Sequence, residues 1–96
     1  MLSRENFIFT IGYDGDSALV DGRAKKRFGR LSSLELAEQG LFRAAWASAV
    51  HADKPEEKKA VIDAYNRVAG TNYTPESHVG RLFGVHRIDI SRAKVI

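Results

Sequence analysis

Ninety-six residues, 44% of them apolar and 28% charged, bound the chain to one soluble globular domain with a single core, small enough for oligomerisation to help it. The lack of cysteine excludes disulfides, thiolate metal ligands and a thiol nucleophile. No apolar run reaches the roughly 20 residues of a membrane span, and the one after Arg4 and Glu5 is too short for a secretory leader, so the expectation is a cytoplasmic protein with no membrane partner. The net charge of +3 is unevenly placed. Gly22 to Arg30, GRAKKRFGR, holds Arg23, Lys25, Lys26, Arg27 and Arg30 with no acid, whereas from Ser32 to Glu57 five acids face only Arg43 and Lys54.

In chain order, Asn6 to Gly12, NFIFTIG, is rich in the β-branched and aromatic residues that favour a strand. Tyr13-Asp14-Gly15-Asp16 separates it from Ala18-Leu19-Val20, the pattern of a β-hairpin. A two-residue turn at Asp14-Gly15 sets Ile11 opposite Ala18 and Phe9 opposite Val20, gathering Phe7, Phe9, Ile11, Ala18 and Val20 on the core side. Ile8, Thr10, Leu19 and Asp21 fall on the other face, too mixed to require burial. Asp21-Gly22 offers a second tight turn, after which Arg23 to Phe28 reads as a basic loop, with an exposed edge strand as the alternative.

Ser32 and Glu35 have capping-box spacing, which starts a helix at Ser33, and Gly40 supplies a left-handed stop after Gln39. Leu41 to Ala52, LFRAAWASAVHA, is a second helix with only Arg43, Ser48 and His51 polar. Phe42, Trp46 and Val50 form its bulky stripe; Ala45, Ser48, Ala49 and Ala52 form a small one, offered as a seam for a homodimer if the core does not cover it. Asp53, Pro55 and Glu56 restart the chain, and a helix from Pro55 to Ala69 places Val61, Ala64, Tyr65 and Val68 inward, flanked by Ile62 and Ala69. Thr74-Pro75-Glu76 begins another helix after Gly70. The fold class is therefore α+β: an amino-terminal β-hairpin packed on three to four helices, with a carboxyl-terminal segment that is either a third strand or a recognition-type helix.

Between Glu76 and Val95, ESHVGRLFGVHRIDISRAKV, Gly80, Gly84 and Ile90 fall at the offsets of a small residue, a turn glycine and a β-branched residue, with Val79, Phe83 and Val85 at the apolar contacts. This fifth of the chain resembles the helix-turn-helix of DNA-binding repressors. The resemblance implies a recognition helix from His86 to Val95 that presents His86, Arg87, Ser91 and Arg92 to a major groove. Ile88 alternating with Arg87, Asp89 and Ser91 fits a strand as well, and on that reading Val85 to Ile90 joins the hairpin.

Asp14, Asp16 and Asp21 cluster around a turn but lack the closing glutamate of a calcium loop, and His51, His78 and His86 have no metal-binding spacing, so no metal or cofactor is expected. None of Ser17, Ser32, Ser33, Ser48, Ser77 or Ser91 lies in a nucleophile turn, and no glycine-rich phosphate loop is present. The expectation is a non-enzymatic nucleic-acid-binding protein, with Arg23, Lys25, Lys26, Arg27 and Arg30 on phosphates and Phe28 as a stacking surface. The alternative is a self-associating interaction or assembly subunit.

Overall fold

The computed structural model describes residues 2–74, 83–85 and 90–96. The chain divides into two compact units, one of Met1–Arg30 with Arg87–Ile96 and one of Leu31–His86. The class is α+β, and the described residues include five helices and a three-stranded sheet.

The first unit holds α1 (Arg4–Ile8), β1 (Thr10–Asp14), β2 (Ser17–Val20), α2 (Gly22–Phe28) and β3 (Arg92–Val95). The expected strand from Asn6 is helical in its first half, because Ser3 accepts from the Asn6 amide at 3.3 Å as an N-cap and Glu5 sits in the first turn. That turn swings Ile8 inward: it is 1% exposed, against the expectation that its face needed no burial. Thr10, also buried, donates its hydroxyl to the Asn6 carbonyl at 2.6 Å.

The hairpin forms in a different register from the one the sequence predicts. Asp14 pairs with Ser17 and Tyr13 with Ala18, so the two-residue loop is Gly15-Asp16. Gly15 has φ +60° at the first loop position, where the backbone twist of a hairpin favours glycine. An irregularity between Thr10 and Gly12 then leaves Ile11 unpaired and 61% exposed, while Ala18 and Val20 are fully buried. β3 adds parallel to β2, with Ser17 beside Arg92 and Val20 beside Val95. The carboxyl end is thus a strand from Arg92, further along than the expected Val85 to Ile90, and no recognition helix runs through Arg92 to Val95. Residues 75–82 and 86–89, which carry most of the helix-turn-helix resemblance and the helix expected after Thr74, lie outside the described residues.

The second unit contains α3 (Ser33–Glu38), α4 (Phe42–Ala52) and α5 (Pro55–Ala69). α3 starts on the expected capping box: Glu35 donates its amide to Ser32 Oγ and its carboxylate accepts from the Ser32 amide, both at 3.1 Å. The Ser32 amide, then its hydroxyl, hold the Glu35 carboxyl below the usual carboxylate range. A depressed folded-state pKa stabilises the fold above the unfolded-state value, and that stabilisation is lost as pH falls through the folded-state value. Urea midpoints of Glu35→Ala and the parent chain should therefore differ most at neutral pH and converge below the ordinary carboxylate range. A difference that did not change with pH would show that the charge is not involved.

Gly40, at φ +79°, stops α3 and lets Leu41 donate to the Leu36 carbonyl at 3.0 Å. Asp53 does not cap α5 as its spacing suggests. It closes α4 in a left-handed conformation, φ 54°, and Lys54 occupies the N-cap of α5 without a side-chain hydrogen bond. Leu36, Val61 and Ile62 are fully buried, with Ala64 beside them. Val68, expected on the inner stripe, is 76% exposed, and its neighbours Arg67 and Ala69 in the last turn of α5 are exposed as well. Tyr65 meets Phe42 and Phe83 edge to face, each pair with centroids 5.2 Å apart, and Trp46 lies 6.2 Å from Phe83. Among the described residues no helix is long and apolar enough to cross a membrane.

Candidate nucleic-acid interface

The basic segment is α2, neither the loop nor the edge strand that its sequence brings to mind. Asp21 accepts from the amides of Arg23 and Ala24 at 3.1 and 3.2 Å, so the Asp-Gly pair is a helix N-cap rather than a turn. Ala, Lys and Arg are good helix formers, and Lys25, Lys26 and Arg27 in the last turn face the negative end of the helix dipole. Arg23, Lys26 and Arg27 recur at i, i+3 and i+4 on one face of α2, Arg30 follows in the turn after the Gly29 C-cap, and all four are exposed. Ala24, Lys25 and Phe28 lie on the other side and are half-buried.

Hydrogen bonds fix this helix to α1. Lys25 Nζ donates to Asn6 Oδ1 at 2.7 Å, and Arg4 Nη1 donates to the Gly29 carbonyl at 3.0 Å. Among the described residues, no carboxylate pairs with Arg23, Lys25, Lys26, Arg27 or Arg30. Arg27 lies 5.2 Å over the Phe28 ring, so the expected stacking surface already carries its own cation. Between α1, α2 and the end of β3 an open cleft of about 500 Å³ is lined by Glu5, Gly22, Lys25, Lys26, Gly29, Arg30 and Val95. The Gly22 amide donates to the Ile96 carbonyl at 3.0 Å, and a Cβ on Gly22 would lie 2.8 Å from that oxygen, so the strand end closes one wall tightly.

The other expected contact residues do not gather with this face as a set. Ser91 and Arg92 are exposed, and Arg92 pairs with Asp16 at 3.4 Å. His86 and Arg87 lie outside the described residues. The small stripe of α4 is mostly spent inside the chain. Ala45 and Ala49 have no exposed surface, Ser48 is 2% exposed, and only Ala52 is open, so these alanines do not present a free dimer seam.

Of the carboxylates around the hairpin, Asp21 caps α2 and Asp16 pairs with Arg92. Among the described residues no group of three His, Cys, Asp or Glu is set to hold a metal ion. A buried polar cluster that no sequence motif marks lies in the helical unit. Ser33 Oγ lies 2.8 Å from both Ser48 Oγ and Glu57 Oε1. A carboxylate only accepts, so it takes the one Ser33 proton and Ser48 supplies the proton between the hydroxyls. Both serines are at most 3% exposed, which makes the cluster a tie between α3, α4 and α5 and no nucleophile open to a substrate. No family model, curated protein or solved structure matches the chain.

Proposed function

We propose that the unit of residues 1–30 and 87–96 is a non-enzymatic, cytoplasmic nucleic-acid-binding module that holds phosphates on α2. The observation that carries this reading is the group of Arg23, Lys26 and Arg27 on one face of α2 with Arg30 in the turn that follows, four exposed cations with no carboxylate partner among the described residues. Leaving such a group unpaired costs little in water and becomes favourable when a polyanion releases its counterions. Charge segregation supports the same reading. This unit has nine Lys and Arg against five Asp and Glu, while Leu31–His86 has six against seven. Phosphate contacts of this kind position a nucleic acid without reading its sequence. Base readout by the helix-turn-helix-like segment would add specificity and is not required.

The test is fluorescence anisotropy of a labelled single-stranded oligonucleotide across a salt series. Three to five phosphate contacts give a log–log slope of roughly −2 to −3.5. Absent or salt-independent binding would overturn the proposal. A second reading, self-association through the sheet, draws on Ile11 at 61% and Tyr13 at 47% exposure on the edge strand β1. A sedimentation mass that rises with concentration would shift the weight to it.

A further inference from the structure

The cleft beside α2 has a charge balance of its own. Lys25, Lys26 and Arg30 line it with one carboxylate, Glu5, which leaves a lining of +2 at neutral pH. Resting on the reading of α2 as a phosphate-binding surface, we propose that this cleft is a site for a phosphate monoester. A monoester carries close to two negative charges near pH 7, whereas a backbone diester carries one, so the monoester is the group that neutralises the lining. The volume of about 500 Å³ lies within the roughly 300–1,000 Å³ typical of small-molecule sites, larger than a bare phosphate and sufficient to admit the esterified group.

The walls divide the work. The amides of Gly22 and Gly29 are committed to the carbonyls of Ile96 and Lys25, so the anion is held by ammonium and guanidinium groups rather than by backbone N–H. Lys25 is pre-positioned by Asn6, and Arg4, 3.4 Å from Glu5, steadies the one acid. Val95 gives an apolar surface, and the Glu5 carboxylate an acceptor for hydroxyl or amino donors on the organic part. A nucleoside 5′-monophosphate and the 5′-phosphate end of an oligonucleotide share this chemistry.

The experiment follows amide shifts of the ¹⁵N-labelled chain during addition of inorganic phosphate or a nucleoside 5′-monophosphate, and compares anisotropy for 5′-phosphorylated and 5′-hydroxyl oligonucleotides. Shifts are expected at Gly22, Lys25, Lys26, Gly29 and Arg30, with the phosphorylated oligonucleotide bound about fivefold more tightly. The double variant Lys26→Gln with Arg30→Gln, its fold checked by circular dichroism, should weaken monophosphate binding about tenfold, and Glu5→Gln should strengthen it about threefold. Equal affinity for the two oligonucleotides with no monophosphate shifts overturns the monoester site and leaves the polyanion reading standing. Monophosphate binding without oligonucleotide binding supports the site and overturns the polyanion reading. A folded double variant, or Glu5→Gln, that leaves monophosphate affinity unchanged also overturns the site.

Discussion

Replacing Lys25, Lys26 and Arg27 together by Gln is expected to weaken oligonucleotide binding about tenfold at low salt and to flatten the log–log salt slope by about 1.4, since it removes Lys26 and Arg27 from the exposed cations and each lost contact on a single strand removes about 0.7. Stability should fall far less. None of the three has a carboxylate partner among the described residues, and Gln in place of Lys25 keeps a donor for Asn6. The structural cost is the last-turn interaction with the helix dipole, about 0.3–1 kcal/mol per charge at low ionic strength and less in salt. Anisotropy and urea unfolding of the same samples separate the two effects. A variant that binds as tightly as the parent would remove α2 from the interface.

Leu36→Ala is expected to lower the unfolding free energy by about 3 kcal/mol. Leu36 has no exposed surface, and α3, which carries it, packs against both α4 and α5. Removing its isobutyl group loses the transfer free energy and leaves a cavity, a combination that costs about 2.7–5 kcal/mol at well-packed sites. Small domains have only about 5–15 kcal/mol in total, so the loss should be plain in a urea titration followed by Trp46, the only tryptophan. Leu34→Ala, on the same helix at 44% exposure, serves as the control and should shift the midpoint little. Similar shifts for the two variants would mean that the core is not centred where Leu36 lies.

The helices of Leu31–His86 were the readable part of the fold because their ends carry local chemistry. Ser32 with Glu35, Gly40, Pro55 and Gly70 each satisfy or terminate a backbone pattern within a few residues, and the structure uses all four. Where one dipeptide serves two motifs, propensity misled. Asp21-Gly22 suits a tight turn, yet Asp21 caps α2; the period of the cations, Arg23, Lys26 and Arg27, was the signal that distinguishes a helix from a loop. Ser3 and Glu5 announced α1, but the aromatic and β-branched NFIF behind them reads as strand. Alternation around Ile88 drew the third strand toward Val85, whereas the paired residues are Arg92 to Val95, whose partner strand no local pattern identifies. The small face of α4 was legible as a close-packing face, but not which element would occupy it. The cleft could not be read at all, since Glu5, Lys25, Arg30 and Val95 come together only through the topology.

The parallel placement of β3 has a consequence for the order in which the chain folds. Ser17 and Arg92 are neighbours in the sheet but 75 positions apart in the chain, with the whole of Leu31–His86 between them. The helices between them close on contacts of short range, whereas the sheet must wait for a distant segment and bear the entropy of closing that loop. On the ribosome, the helical segment is free to acquire structure while the hairpin and α2 still lack their third strand. The cleft, with Val95 in its wall, is therefore assembled late, and any ligand it holds would act on the slow, long-range step of folding rather than on the early, local one.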